Sequence, residues 1–226
     1  ATNLCKEALI NTEAFNCSVV FANANTGEVL ISAEERGDKE SINIDLMSTR
    51  AQYEPGSSLK IFSIGLALEQ GLLDEKTEYY VEDTIELIEN SCQKDFKGYK
   101  GCYKDFLKHE PYNLSVKEII ERSSNVGTII ATKDLNINDL EEFLSKFGFS
   151  KRTGIELSGE SKGSFDPNKT CTTCLSSLSI GYSINVTQMQ MVKAYSIIAN
   201  GGKNVDLTLI KSPYSNYSPN QVIDSN

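Results

Sequence analysis

The spacing of apolar positions changes several times along the chain, and each change predicts an element. Residues 3–11 carry a short helical pattern. CSVVFANANTGEVLISA (17–33) holds two apolar runs on either side of Asn25-Thr26-Gly27, which predicts two strands joined in a hairpin. Residues 34–53 are polar and predict a loop. EPGSSLKIFSIGLALEQG (54–71) differs in kind. Pro55-Gly56 makes a turn, and Leu59, Ile61, Phe62, Ile64, Leu66, Ala67 and Leu68 leave no wide polar face. A helix over about 57–70 is therefore expected to be enclosed by other elements. Gly71 suits the position just past its end.

Residues 72–112 mix short strand-like pieces (TEYYVEDTIEL) with a Lys/Gly/Tyr-rich stretch and show no clear periodicity, which predicts a surface insertion. Three capped helices follow. Ser115 and Glu118 form a capping box for the first. Asn138 and Glu141 open the second, which runs to Phe147 and stops at Gly148. Thr187 and Gln190 open the third, which stops at Gly201-Gly202. GIELSGE (154–160) and NVDLTLIK (204–211) are strand-like, and residues 212–226 end without structure. The pattern predicts a mixed α/β (α+β) fold, with helices packed on a sheet built from the early hairpin and the late strand.

Length and charge narrow this picture. The 226 residues suffice for one large domain, or one and a half, with a sizeable core. The net charge of −9 and the lack of a basic stripe argue against nucleic-acid binding. No apolar run is long enough for a transmembrane helix. The chain begins Ala1-Thr2-Asn3 without an initiator Met and with no signal peptide, as expected of a processed or excised segment.

Candidate chemistry enters at the enclosed helix. Ser57 and Lys60 lie three apart and share one face of its first turn. A desolvated lysine tends to lose its proton, so Lys60 could take the hydroxyl proton of Ser57, and free N–H groups at the helix start could hold an oxyanion. The plain alternative is a capping serine and a snorkelling lysine. A second polar break, Ser123-Ser124-Asn125, interrupts the apolar run from Ile119 to Ile130 and needs either partners or a cleft. It also suits a tight interhelical turn. The only histidine, His109, lies in the polar stretch KDFLKHEPYN and is expected to be a solvated loop residue. That single count rules out a multi-histidine metal site. Of six cysteines, Cys92 and Cys102 flank a short polar loop and are the best pair, with free thiols as the alternative; the pairing of Cys5, Cys17, Cys171 and Cys174 stays open.

S-x-x-K followed by S-x-N belongs to the acyl-serine set that also includes K-T-G. ANANTGEVLISA, EPGSSLKIFSIGLALEQG, SSNVGTIIA, FLSKFGFSKRTGIELSGESKG and SIGYSINVTQMQMVKAYSIIANGG occur in that order over most of residues 17–202. They resemble successive landmarks of the transpeptidase domain of class B penicillin-binding proteins. The SSNVG form and the FGF…TGIELSGE run resemble the septal, cell-division branch more than the elongation branch. The resemblance implies a penicillin-binding-protein/serine β-lactamase-like fold over 1–226, with 72–112 inserted in it. It implies Ser57 as the acylated nucleophile, with Ser58 its out-of-register rival, and Lys60 as the base. It implies Ser123 as the relay to the leaving amine and Asn125 as the holder of the substrate amide. The substrate would be D-Ala-D-Ala stem peptides of peptidoglycan, with β-lactams acylating the same serine and no metal or organic cofactor. Divisome proteins, a glycosyltransferase partner and a periplasmic face of the inner membrane, with the anchor outside this chain, are implied in the same way. Arg50 and Glu54 are expected to brace the turn.

K-T-G does not occur, and the resemblance implies a domain that stops before it, with C-terminal strands missing. Arg152-Thr153-Gly154 imitates the motif, but it sits inside the FGFSKRTGIEL landmark, where the family has a structural turn. Two other readings stand beside the transpeptidase. One is a D,D-carboxypeptidase, β-lactamase or β-lactam-sensor domain of the same acyl-serine class. The other is a non-catalytic fragment with a scaffold role.

Overall fold

A computed structural model describes residues 1–37, 47–93, 101–166, 171–211 and 220–223. In chain order the elements are α1 (Thr2–Thr12), β1 (Asn16–Ala22), β2 (Val29–Arg36), α2 (Met47–Arg50), a 3₁₀ turn (Gly56–Leu59), α3 (Lys60–Glu69), β3 (Glu78–Val81), β4 (Thr84–Glu86), β5 (Cys102–Lys104) and β6 (Tyr112–Ser115). Then come α4 (Val116–Glu121), α5 (Asn125–Ala131), α6 (Ile137–Lys146), β7 (Ser164–Phe165), α7 (Cys174–Ser179), β8 (Ile184–Asn185) and α8 (Gln188–Ala199). The mixed α/β architecture is the one expected. The chain forms two units, one of 1–53, 144–164 and 185–226 and one of 54–143 and 165–184.

In the first unit β1 and β2 pair antiparallel, as the hairpin pattern predicts. β2 runs on to Arg36, and Met47–Arg50 is helical, so the stretch expected to be all loop is partly ordered. Residues 38–46 lie outside the described residues. Of its residues α1 buries only Cys5, and a disulfide from Cys5 to Cys17 ties it to β1. A helix without an apolar stripe needs such a tether.

Two expected strands are absent. In 154–160 the Glu160 carboxylate accepts from Thr153 N (2.7 Å), Thr153 Oγ1 (2.6 Å) and Gly154 N (3.1 Å). Those bonds fold the segment back into a loop, yet Ile155 still packs with Met189 and Leu207 in the core. Arg152-Thr153-Gly154 is thus a carboxylate-pinned turn. In 204–211 only Thr208 bridges to Glu28, in parallel sense. The Glu156 carboxylate accepts from the Thr208 hydroxyl and from the Leu209 N–H, and the latter is a donor that a continuing ladder would need. The capping box of α8 forms as predicted. The same Gln190 is fully buried, and its amide donates to the carbonyls of Lys151 and Lys162 (2.7 Å each), with the Gly148 carbonyl sharing one of the two hydrogens at 3.3 Å. A buried amide with all its valences used specifies one arrangement of the surrounding loops.

The second unit is built on the enclosed helix. Phe62, Ile64, Leu66 and Ala67 of α3 are buried, as are Val81, Leu114, Ile119, Val126 and Ile129. Each large apolar side chain contributes on the order of 1.5–3 kcal/mol. The helix begins one turn later than expected, because Gly56–Leu59 is 3₁₀. Among its described residues the stretch 72–112, expected to be surface insertion, carries β3, β4 and β5 and ends where β6 begins: β3 pairs with β6 and β4 with β5. It buries Leu73 and Val81. The capping box of α4 uses Ser115 and Glu118 as predicted. α6 starts at Ile137, and Asn136 accepts the Asn138 N–H, so its cap falls two residues before the predicted Asn138. All six cysteines are paired: Cys92–Cys102 as favoured from spacing, Cys5–Cys17, and Cys171–Cys174. The last pair closes CTTC as a local loop rather than a metal or thiol motif. Among the described residues no helix is long and apolar enough to cross a membrane.

Candidate active site

The site lies within the second unit. Ser57 stands in the 3₁₀ turn and is exposed. The Lys60 N–H donates to the Ser57 carbonyl, closing that turn. In 3₁₀ geometry side chains at i and i+3 eclipse, so Ser57 and Lys60 stack more directly than an α-helical turn would allow. The turn is held from outside. Gly56 N donates to the Gly181 carbonyl (3.0 Å), and the Glu54 carboxylate accepts the Ser183 N–H (3.0 Å). Ser58 is turned to another task, since its hydroxyl donates to the Pro55 carbonyl (2.7 Å).

Lys60 is 2 % exposed. Its Nζ donates to the Ser123 carbonyl (2.6 Å) and to Ser123 Oγ (3.3 Å). Burial lowers its amine to about 8, against the Asp105 carboxylate, whose charge raises it. Lys60 does not snorkel. It is desolvated against the second polar motif, which makes it a proton acceptor available near neutral pH.

Ser123-Ser124-Asn125 forms the turn between α4 and α5. Ser123 adopts φ +53°, in the left-handed region, which serines rarely enter. Ser124 caps α5, accepting from Gly127 N (2.8 Å). Ser57, Ser123 and Asn125 line one cleft of about 610 Å³ together with Lys104, Asp105, Phe106, Arg122, Ile180 and Tyr182. The four residues singled out from the sequence thus meet at one place, three on the cleft wall and Lys60 buried behind Ser123.

Asp105 was missed. Its Oδ1 accepts from Asn125 N (2.5 Å) and Val126 N (3.0 Å), and its Oδ2 accepts from Ser124 Oγ (2.7 Å). The Lys104 carbonyl accepts from Asn125 Nδ2 (2.7 Å). Both residues lie inside the aperiodic stretch 72–112 expected at the surface, and nothing local marks them. His109 is also corrected. It is not a solvated loop residue: its side chain is 15 % exposed, its Nε2 lies 3.1 Å from Asp105 Oδ2, and its ring stacks on Tyr112 at 4.2 Å. Burial opposes its charge, but the Glu110 carbonyl and the Asp105 carboxylate outweigh that and raise its pKa. Arg50, in the other unit, donates to the Ser158 carbonyl, and it braces a loop of that unit. Among the described residues no cluster of three or more His, Cys, Asp or Glu is placed to bind a metal.

An exposed serine one 3₁₀ turn before a buried lysine, which in turn contacts a serine from an S-x-N turn, is the arrangement that the S-x-x-K and S-x-N motifs call for, here on a mixed α/β frame. The chain belongs to the penicillin binding protein transpeptidase domain family, whose model matches residues 17–225. It is 29% identical over 208 residues to penicillin-binding protein PbpB of Mycolicibacterium smegmatis, covering 88% of this chain and 30% of that protein. It is 27% identical over 220 residues to the peptidoglycan D,D-transpeptidase FtsI of Escherichia coli, covering 90% of this chain and 34% of that protein. Its fold superposes with a TM-score of 0.81 and 26% identity on penicillin binding protein 3 of Mycobacterium tuberculosis complexed with ampicillin, covering 99% of this chain and 51% of that one. The chain spans about a third of the length of the curated relatives it matches.

Proposed function

We propose that this chain is the acyl-serine portion of a peptidoglycan D,D-transpeptidase that acts in septal wall synthesis and is acylated by β-lactams. Neutral Lys60 takes the proton of Ser57 as Ser57 Oγ attacks the carbonyl of the penultimate D-alanine. The backbone N–H of Ser57 is one donor to the oxyanion. The C–N bond then breaks, and the terminal D-alanine leaves as an amine that receives its proton through Ser123. An amine from a neighbouring strand attacks the acyl-serine, forms the cross-link and releases Ser57. Asn125 Nδ2 is occupied by the Lys104 carbonyl, which orients its Oδ1 as the acceptor for a substrate N–H.

The observation that carries this reading is the contact with Ser123 of a buried Lys60 whose amine is lowered to about 8. A structural lysine at that depth would need a carboxylate partner in direct contact. The names of the FtsI and PbpB relatives support the septal branch, and with it an extracytoplasmic location facing peptidoglycan, divisome proteins and a glycosyltransferase. The domain is proposed to occupy 1–226, with 72–112 a segment inserted in it that supplies Lys104 and Asp105.

The test is intact mass followed by peptide mapping after incubation with a penicillin, beside a Ser57→Ala control. An adduct on Ser57 that the control lacks supports the reading; no adduct on wild type overturns it. Analysis of stem-peptide products then separates transfer to an amine from transfer to water.

A further inference from the structure

We propose that Asp105 is a positioning residue for acyl transfer: its carboxylate fixes the Ser123-Ser124-Asn125 turn in the arrangement where Ser123 meets Lys60 and Asn125 borders the cleft. This deepens the acyl-serine reading and rests on it. Asp105 follows β5, whose first residue Cys102 is tied to Cys92. Its own N–H donates to the Asp83 carbonyl (2.9 Å), which sets its backbone. From there one carboxylate takes two N–H groups at the start of α5 and the hydroxyl of Ser124. Ser124 is buried and sits between the two residues that act on substrate. Moving it moves both. The residue before Asp105 adds the Asn125 side chain to the same clamp.

A helix cap would explain these bonds by itself. Two further features exceed a cap. The Asp105 charge acts on Lys60, opposing the effect of burial. The carboxylate also lines the cleft that Ser57, Ser123 and Asn125 share. The charged groups around it are Lys60 from α3, His109 on its Oδ2, Asp83 from the turn before β4, and Lys104 and Arg122 on the cleft wall. His109 shares the carboxylate with Ser124 and buttresses its orientation.

The experiment compares wild type with Asp105→Asn and Asp105→Glu in the intact protein. Asp105→Asn keeps an oxygen acceptor and removes the charge; Asp105→Glu keeps the charge. Three quantities are measured: thermal midpoint, the pH titration of Lys60 followed by carbon NMR of its ε-methylene, and the second-order rate of acylation by a fluorescent penicillin across pH. The expected result for Asp105→Asn is a folded protein in which Lys60 titrates lower by roughly one pH unit. Its limiting acylation rate at alkaline pH should fall about tenfold or more, while the acid limb of the profile moves to lower pH. Asp105→Glu should restore the Lys60 titration and part of the rate. The proposal is overturned if Asp105→Asn leaves the Lys60 titration and the pH profile in place and lowers the rate only as far as the folded fraction falls. A wild type that accepts no acyl group at any pH sinks the acyl-serine reading instead, and the Lys60 titration still decides whether Asp105 governs the site.

Discussion

Lys60 Nζ lies 2.6 Å from the carbonyl oxygen of Ser123 and 3.3 Å from its hydroxyl. Residues 63 apart in sequence are thereby brought into contact. The carbonyl contact holds the amine in place in either protonation state, while the hydroxyl contact leaves Ser123 able to receive or pass a proton. Asp105 accepts from Ser124, Asn125 and Val126 and so fixes the turn that presents Ser123.

The first expectation concerns rate and pH. A base must be neutral to act, and burial brings the Lys60 amine to about 8. Acylation of Ser57 should rise about tenfold per pH unit below that point and level off above it. Rates of penicillin acylation from pH 5.5 to 9.5 check this; a flat profile removes Lys60 as the base.

Stability should carry the same signature with a definite sign. Lys60 has a lower pKa folded than its ordinary 10.5. Between about 8 and 10.5 the unfolded chain binds more protons at this residue than the folded one. Stability from this group therefore rises with pH across that window. Lys60→Met removes the effect and the cost of burying a charge. It should be at least as stable as wild type at pH 6–7, and wild type should gain on it from pH 8 to 10.5. Urea midpoints of both proteins at several pH values give the comparison.

Ser123 holds φ +53° at the turn. A left-handed conformation costs a residue with a Cβ roughly 1–2 kcal/mol, a cost glycine escapes. Ser123→Gly should therefore be more stable than Ser123→Ala by about 1 kcal/mol, while both lose acylation by about 10²-fold or more. If Ser123→Ala proves the more stable of the two, the backbone at this turn is not left-handed.

Gly181 should tolerate no side chain. Its φ is +87°, and an added Cβ would fall 1.9 Å from the carbonyl oxygen of Gly56, the residue before Ser57. Gly181→Ala forces the two backbones apart and should cost about 1–3 kcal/mol. It should also slow acylation by more than the folded fraction accounts for, because Ser57 moves with Gly56. Thermal midpoint and acylation rate on the same sample separate the two effects.

Most of the site could be read from the chain because its parts are local. Ser57 and Lys60 sit on one turn, and Ser123-Ser124-Asn125 is a single polar break in an apolar run. The capping boxes at Ser115 and Thr187 were legible for the same reason, since each closes within four residues. Where a side-chain carboxylate captured backbone donors, the alternating pattern misled. GIELSGE alternates like a strand, but Glu160 folds it back onto Thr153. NVDLTLIK loses its ladder to Glu156, which lies 52 residues from Thr208. His109 resembled a solvated loop residue until Tyr112 and Asp105 enclosed it.

The sequence by itself determined the helix, turn and cap preferences, the enclosure of α3 and the two polar motifs, since propensity and periodicity act over a few residues. Tertiary structure alone decided that Lys60 meets Ser123, that Asp105 clamps the α5 turn, and which cysteines pair. Those depend on contacts across tens of residues, where burial and charge are set by neighbours that no local pattern names.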